Sequence, residues 1–438
     1  KSDLQTYRGW ELKISFLLLF ISIAFFYFIR AKFFLIPFER DEGIYAYFGK
    51  LILDGKIPYK DFYEVKFPGL FYSYAFMIKL FGYDLKSLHF GFTIINLINT
   101  ILIFFISLKF FRPAISLFTS IMFSIYSLNP DMSGFTIQAE HLVSFFISLG
   151  IYFILSNEVK NSNFKIFLSG IFLSFAVMIK TAAFSIILFV TIYFIFNLFY
   201  KKNKLKRSKI LFNILYFSLG CAFTVISFLF LIILKGSLSE MIYFTFKMSS
   251  RYITQINFSQ GFLLLKGEII RIIDNHKLFW FISILGFCVL FIQKIQPQKK
   301  IFLVLFGILS FLMVLPGFYF YGHYFLLIIP AATLLFANFI DYSIKFCNRK
   351  NLKLSFISIS LLIILCFTNH FFNLKAYYFN PNYSKILRST YGNNPFPEAM
   401  EVGKFLKKNL KQNETFALIG SEDRKSTRLN SSHIPLSR

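Results

Sequence analysis

The chain has 438 residues, of which 56% are hydrophobic and only 16% are charged, well below the roughly 25% typical of a soluble domain. This composition excludes a soluble globular protein and indicates an integral membrane protein with helical spans, because backbone exposed to lipid must satisfy its own hydrogen bonds. The net charge of +26 does not indicate nucleic-acid binding, because most Lys and Arg residues lie in short loops between apolar runs.

Eleven apolar runs along the chain predict membrane helices. They cover residues 12–29, 88–108, 113–129, 141–156, 165–179, 182–199, 210–234, 278–293, 301–318, 323–341 and 354–373. The run 69–82 is short and contains Lys79, so we predict that it does not cross. Counting it as a span would place most basic loops outside, against the positive-inside rule. We therefore predict an all-α polytopic membrane protein with segments 30–87, 235–277 and 374–422 outside.

Composition divides the chain into three parts. Residues 1–373 form the predicted membrane domain. Residues 374–422 read as the start of an outer α/β domain, with a helix beginning near Pro397 and a strand at "TFALIG". Residues 423–438 resemble the in-frame translation of a sequencing adapter, so we expect the natural chain to have been cut short near Glu422.

The first outer segment concentrates polar residues in a chain that is otherwise apolar. Asp41 and Glu42 head the stretch "DEGIYAYFGKLILDG", whose apolar residues recur on one helical face. We expect a juxtamembrane helix with the acids at its N-terminal end, where the helix dipole favours carboxylates. An acidic cap on a surface helix explains this stretch as well as a catalytic pair does. The following "PYKDFYEVKFPG" interleaves aromatic residues with Lys66, which suits a lipid phosphate head group.

Further ionisable residues lie at the outer ends of later spans. Glu140 ends the short loop "NPDMSGFTIQAE", and an ionisable group entering the membrane is a functional candidate. Lys180 occupies the hairpin between two spans, where a snorkelling lysine is the alternative reading. His323 and Tyr324 open another span from the same side, and Arg251 in the loop 235–277 is a weaker candidate.

These acids and cations together predict a specific chemistry. A carboxylate takes a proton from a hydroxyl nucleophile, and cations stabilise a departing phosphate. Both are needed to move a sugar from a lipid phosphate carrier to an acceptor hydroxyl. We find no P-loop or dinucleotide-binding motif in the chain.

Five short motifs resemble those of a known family. They are Asp-Glu-Gly-Ile-Tyr-Ala (41–46), "YKDFYEVKFPGLFY" (59–72), "GFTIQAE" (134–140), "MIKTAAF" (178–184) and "HYFLLIIPAATLLFA" (323–337). In this order they resemble the polyprenyl-phosphate-sugar dependent glycosyltransferases of the GT-C fold, glycosyltransferase family 39. This family includes the protein O-mannosyltransferases and the lipid A aminoarabinose transferase.

The resemblance implies an inverting glycosyltransferase of the bacterial inner membrane with an extracytoplasmic site. The implied donor is a polyprenyl-phosphate sugar, and the acceptor is a lipid, a glycan or a protein. The expected catalytic acids are Asp41, Glu42 and Glu140, with Asp41 as the base. With Arg251 and His323 added from the residue patterns above, the expected substrate-binding residues are Tyr45, Lys66, Lys180, Arg251, His323 and Tyr324.

Two other classes of function remain open. A transporter or flippase of polyprenyl-linked glycans also presents cations to a lipid phosphate, but its polar groups are expected near the bilayer midplane. Spans 88–108, 210–234 and 354–373 contain no Asp, Glu, Lys or Arg, which favours the enzyme. A structural assembly subunit leaves the acid and lysine pattern unexplained. The sequence requires no cofactor. It is compatible with a divalent metal near the acids, although the four cysteines lack metal-ligand spacing.

Overall fold

The computed structural model of the chain describes residues 2–157, 162–200, 204–349, 368, 370–372 and 374–409. Within these ranges the chain is helical, and its only β structure is one isolated bridge between Pro58 and Phe62. The predicted all-α class is therefore confirmed. The helices are α1 (Ser2–Ala31), α2 (Arg40–Leu53), α3 (Gly69–Phe81), α4 (Leu85–Ser107), α5 (Pro113–Tyr126), α6 (Ala139–Asn157), α7 (Asn163–Ile179), α8 (Phe184–Tyr200), α9 (Lys204–Leu234), α10 (Leu238–Ile242), α11 (Ser249–Ile253), α12 (Phe258–Asp274), α13 (Lys277–Ile292), α14 (Pro297–Leu312), α15 (Ile329–Arg349), α16 (Lys375–Phe379), α17 (Tyr383–Tyr391) and α18 (Phe396–Asn409).

Several of these helices are suited to crossing a membrane. In the described part, five segments are long and apolar enough by length and composition: Gly9–Ala31, Leu85–Ser107, Ala139–Asn157, Thr181–Tyr200 and Arg207–Leu234. Helices α12 and α13 pass the same test only as a pair, which is bent by 109°. Ten of the eleven predicted spans coincide with helices. The eleventh, 354–373, lies outside the described residues except for 368 and 370–372.

The helices that correspond to the predicted spans 301–318 and 323–341 leave a gap where the two spans were expected to adjoin. The predicted span 301–318 stops at Leu312, and the next helix begins only at Ile329. Between them lie two short 3₁₀ helices, Pro316–Phe318 and Gly322–Leu327. Pro330 is the second residue of α15, where its missing N–H costs nothing, so the helix starts there.

The short apolar run 69–82 forms α3, which has 13 residues and is below the roughly 20 needed to cross a bilayer. It packs tightly on α2, because a Cβ at Gly49 would lie 2.8 Å from the backbone nitrogen of Ala75. The start of α3 also touches α7, where a Cβ at Gly69 would lie 2.7 Å from Met178. Because α2 and α3 rest on the end of α7, the first polar segment lies beside the α7–α8 hairpin.

The buried apolar residues of the described part form one large cluster and two smaller ones, the smallest of which contains Leu19, Phe104 and Leu117. In the large cluster α7 and α9 cross with almost no space, since a Cβ at Gly170 or Gly220 would overlap a backbone carbonyl oxygen of the other helix. The larger of the two smaller clusters joins the end of α1 to the last three helices and contains Ile29, Phe33, Ile36, Leu128, Phe135, Tyr377, Tyr378, Ile386, Leu387 and Phe396. The predicted helix near Pro397 is present as α18. The predicted strand at 415–420 lies outside the described residues.

Candidate active site

Helix α2 begins at a reciprocal cap made by two glutamates. The Glu39 carboxylate accepts a hydrogen bond of 2.9 Å from the backbone N–H of Glu42, and the Glu42 carboxylate accepts one of 2.8 Å from the backbone N–H of Glu39. This capping box satisfies backbone donors that a helix start leaves without partners. The Glu42 side chain is therefore turned back along the helix.

The same two glutamates tie α2 to the loop before α6. Glu42 also accepts a hydrogen bond from the backbone N–H of Ile137, and its Oε1 lies 3.8 Å from His89 Nε2. Gln138 donates a hydrogen bond of 2.9 Å to Glu39. Burial raises the pKa of Glu42 well above its ordinary value and raises that of Glu39 to about 7. The structure thus places Glu42 in a buried polar network.

Asp41 points elsewhere, because consecutive helical residues differ in direction by about 100°. Its side chain is 27% exposed and accepts a hydrogen bond of 3.2 Å from the Tyr45 hydroxyl. Two cations flank it: Arg40 Nε at 3.7 Å and Lys66 Nζ at 3.9 Å. Of the two adjacent acids, Asp41 is the one that solvent reaches.

Tyr45 connects this acid to Lys66. The Lys66 ammonium donates a hydrogen bond to the Tyr45 hydroxyl and lies 4.4 Å from the centre of its ring. Tyr59, which has a left-handed backbone with φ of 69°, donates a hydrogen bond of 2.7 Å to the Lys66 carbonyl oxygen. The loop between α2 and α3 is thereby shaped so that Lys66 faces Asp41.

A second ion pair comes from three further parts of the chain. Glu140, in the first turn of α6, is only 2% exposed and pairs with Lys180, which follows α7. His323 Nε2 lies 3.8 Å from the same Glu140 oxygen, and Lys180 Nζ lies 3.5 Å from the centre of the Tyr324 ring. The pairing satisfies both buried charges.

The ion pair of Asp41 with Lys66 and the ion pair of Glu140 with Lys180 share one electrostatic environment. Burial disfavours the charged form of Asp41, but Lys66, Arg40, His323 and Lys180 together outweigh it and hold the pKa of Asp41 below its ordinary value. Lys180 and His323 thus contribute to the electrostatic potential at Asp41. We call this assembly the charged cluster; its members are Asp41, Lys66, Glu140, Lys180 and His323.

The structure adds residues that the sequence patterns did not single out. Arg40 adjoins Asp41, and Glu39 and Gln138 hold the cap of α2. Glu64 lies close enough to feel Asp41 and Arg40, and burial raises the pKa of Glu64 to about 7. Arg40 directly precedes the Asp-Glu motif, so its position in the sequence could have identified it as a candidate site residue. Glu39 and Gln138 have no sequence signal beyond the helix start.

Arg251 is placed apart from these residues. It lies in the five-residue helix α11 with an exposed side chain, and none of its contacts within the described ranges joins it to the charged cluster. No group of three or more His, Cys, Asp or Glu side chains in the described part is arranged to hold a metal ion.

A turn of unusual backbone leads to His323. Gly317, Phe318 and Phe320 have φ of 77°, 55° and 49°, a region that side chains other than glycine rarely adopt. Beyond them the Tyr321 and His323 rings stack with their planes 13° apart. Such strain is found where the surrounding structure imposes a particular backbone, often at functional sites.

Comparison with known families identifies part of the chain. Residues 65–234 match the family described as dolichyl-phosphate-mannose-protein mannosyltransferase. The match covers less than half of the chain, and it confirms the resemblance predicted from the motifs. None of the curated proteins compared with the chain matches it.

The fold is similar to that of an archaeal oligosaccharyltransferase from Archaeoglobus fulgidus. The structure with a tethered acceptor peptide is 11% identical, with a TM-score of 0.55, over 90% of this chain and 57% of that one. The structure with zinc and sulfate is 13% identical, with a TM-score of 0.54, over 89% and 55%. The structure with an inhibitory peptide and a dolichol-phosphate is 11% identical, with a TM-score of 0.53, over 90% and 58%. The chain thus spans little more than half of these proteins, and the similarity confirms the predicted GT-C fold.

Proposed function

We propose that this integral membrane protein transfers a sugar from a polyprenyl-phosphate carrier to an acceptor hydroxyl, with Asp41 as the base. The observation that carries the proposal is the charged cluster, in which an accessible carboxylate lies 3.9 Å from one lysine and close to a second. The family description names a dolichyl-phosphate-mannose donor, and one similar structure was obtained with a dolichol-phosphate. Both support a lipid-phosphate sugar as the donor class.

The reaction is a single displacement at the sugar C1. The acceptor hydroxyl gives its proton to the Asp41 carboxylate, and its oxygen forms the new bond to C1. The bond between C1 and the phosphate oxygen breaks, and the polyprenyl phosphate leaves with the electron pair. Attack opposite to the leaving group inverts the configuration at C1.

The cations act on the phosphate, which gains a negative charge as the C1 bond breaks. Lys66 and Lys180 are placed to stabilise this charge without reorganising during the reaction. In the free protein they also lower the pKa of Asp41, which makes it a weak base. A bound phosphate diverts part of their field, so the basicity of Asp41 rises when the donor is present.

The aromatic residues Tyr45 and Tyr324 lie against the two lysines and would line the donor pocket. Glu140 holds Lys180 in place and balances its charge. Glu42 supports the start of α2 and is not in position to reach the acceptor. We propose that the site lies on the extracytoplasmic face of a bacterial plasma membrane. The positive-inside distribution of Lys and Arg supports the extracytoplasmic side.

A similar structure was obtained with zinc and sulfate. A divalent metal is therefore compatible with this fold, although the described residues of this chain bring no three metal-ligating side chains together. The proposed reaction includes no step through a metal. The acceptor is a lipid, glycan or protein hydroxyl.

Membranes containing the protein and a radiolabelled polyprenyl-phosphate mannose test the proposal. Label should pass to lipid, glycan or protein, and Asp41→Asn should slow the transfer by about 10²- to 10⁴-fold, the usual contribution of a general base. Asp54→Asn is the matched control, since Asp54 ends the same helix and pairs with Lys50. An Asp41→Asn protein that is folded and transfers label at the wild-type rate would falsify the assignment.

A further inference from the structure

Helix α12 has an apolar surface of which only half is covered by the protein. Its inner side is packed: Ile272 is buried, and a Cβ at Gly261 would lie 2.7 Å from the Phe318 side chain. Next to this side, Phe258, Phe262, Leu263 and Ile270 are between 57% and 75% exposed. Large apolar side chains exposed together mark an interaction surface.

Three polar residues of α12 lie together on another arc, while Ser259 and Lys266 fall within the exposed apolar one. At 100° per residue, Gln260, Gly267, Arg271 and Asp274 fall within a narrow strip on the side away from Phe262. Arg271 pairs at 2.7 Å with Glu268, which lies about 60° beyond the strip. The helix is therefore amphipathic in the way of a helix that lies between apolar and aqueous phases.

The direction of α12 excludes an ordinary span. It meets α13, one of the predicted spans, at a bend of 109°. A helix nearly perpendicular to a membrane helix lies close to the membrane plane. Its start is defined by its own capping box, in which Asn257 and Gln260 bond reciprocally, so it begins as a separate element.

The charge around α12 identifies the partner. The segment 235–277 carries six Lys or Arg and three Asp or Glu residues. Lys266 lies within the exposed apolar arc, where a long side chain places its ammonium at the level of lipid phosphates. The end of α9 also carries exposed apolar side chains, Ile233 and Leu234.

We propose that α12 lies in the lipid headgroup layer, with Phe258, Phe262, Leu263 and Ile270 in the acyl boundary and the Gln260–Asp274 strip in water. The helix then holds the loop of the candidate site at the membrane surface. Gly261 contacts Phe318, and a Cβ at Gly322 would meet both Arg271 and the carbonyl of Asp131. The proposal is independent of the reaction proposed above.

Depth-dependent fluorescence quenching tests this placement. The two native tryptophans, Trp10 and Trp280, are replaced by Phe, and a single Trp is introduced as Phe262→Trp or Gln260→Trp. The proteins are reconstituted in vesicles of phosphatidylcholine and phosphatidylglycerol with bromine atoms near the headgroup or near the chain ends. Phe230→Trp, on the exposed apolar side of α9, verifies incorporation.

We expect the Phe262→Trp protein to be quenched most by bromine near the headgroup, and the Gln260→Trp protein to be quenched by aqueous iodide instead. Strongest quenching of the Phe262→Trp protein by bromine at the chain ends would make α12 half of a broken span. Equal lipid quenching at both positions would overturn the orientation. No lipid quenching at position 262, with concentration-dependent association of the protein, would assign the surface to a second copy.

Discussion

Tyr45 stands between the opposite charges of the candidate site. Its hydroxyl donates a hydrogen bond to Asp41 and accepts one from Lys66, whose ammonium also lies over the ring. One side chain therefore orients the proposed base and one of the cations at the same time. Because Lys66 and Asp41 remain 3.9 Å apart, Tyr45 keeps them from forming a closer pair that would exclude a phosphate.

Tyr45→Phe should reduce kcat/KM for sugar transfer by roughly fivefold, since one net hydrogen bond contributes about 1 kcal/mol. The ring and its contact with the ammonium are retained, so folding should be unaffected. Initial rates at several donor concentrations measure the change. Tyr63→Phe, on the same loop with a half-exposed ring, is the control. Equal losses in both variants would show that the Tyr45 hydroxyl has no special role.

Glu39 and Glu42 make stability depend on pH. Their pKa values are raised in the folded protein, so the folded state holds their protons more tightly than the unfolded state does. The stabilisation is complete below the ordinary value of 4.5 and is lost as pH rises towards about 7. The loss for Glu39 is on the order of 3 kcal/mol, at about 1.4 kcal/mol for each pKa unit.

Glu42→Gln imitates the protonated acid and should weaken this dependence. The amide oxygen still accepts a backbone hydrogen bond, and Glu39 loses its charged neighbour. Thermal unfolding in detergent across the same pH range is the measurement. The midpoint of the wild-type protein should fall as pH rises, and that of the variant should fall less. Identical slopes would contradict the coupling of the two acids.

The resemblance favoured Asp41 over Glu42 as the base, but the residue pattern alone gave no physical reason for that choice. Asp41 and Glu42 differ by one helical step, and their directions depend on where the helix begins. That start is set by Glu39 and by contacts with Ile137 and Gln138, about a hundred residues away. No local pattern contains this information.

At the scale of helices, one of the closest contacts in the described part of the chain is the crossing of α7 and α9. Gly170 and Gly220 face each other there, and their missing side chains allow the two backbones to touch. The hydrophobic effect does not drive association between helices in lipid. Small residues at such crossings allow close van der Waals packing instead. The crossing fixes α7, and with it Lys180 at its end.

Gly220→Ala should lower the stability of the protein by about 1 to 3 kcal/mol, the usual cost of overpacking. The new Cβ would overlap the Phe167 carbonyl oxygen, and rigid backbone on both sides leaves little room for adjustment. Thermal unfolding followed by size-exclusion chromatography measures the change. Gly267→Ala, where a Cβ meets nothing within 4 Å, should be neutral or stabilising. A stable Gly220→Ala protein would show that α7 and α9 separate easily.

Helices were the best-predicted feature, because a long apolar run in lipid has no other regular structure to adopt. The ends were predicted less well. The run 301–318 contains Pro316 and Gly317, which favour the end of a helix. The surrounding apolar residues nevertheless led to the prediction of one continuous span. The break between α14 and α15 makes room for the left-handed turn, which positions the rings of Tyr321 and His323.

Across the whole molecule, the charged cluster is assembled from segments that are distant in sequence. Asp41, Lys66, Glu140, Lys180 and His323 span most of the described chain, and each lies at or beyond the end of a helix or in a loop. Positive-inside topology predicted that they share one side of the membrane. Their actual proximity depends on helix packing, including the contact of α3 with α7.

Variants of Glu140 and Lys180 test whether the charged cluster is assembled in this way. Lys180→Met leaves the buried Glu140 carboxylate with His323 but without its lysine partner, and it should destabilise the protein by about 3 kcal/mol, the lower end of the usual cost of breaking a buried pair. Glu140→Gln together with Lys180→Met removes both charges and should restore most of the lost stability. Thermal unfolding of the single and double variants gives the answer. A double variant no more stable than Lys180→Met would show that the pair is not coupled in the fold.

The left-handed backbone at Phe318 and Phe320 also constrains protein engineering. Transplanting residues 316–324 from a relative would preserve the ring positions only if the donor segment tolerates φ above zero at the same sites. Glycine at 318 and 320 would relieve the local strain while keeping the path of the chain. Libraries that vary position 321 on that relaxed background would therefore separate the contribution of the ring from that of the turn that presents it.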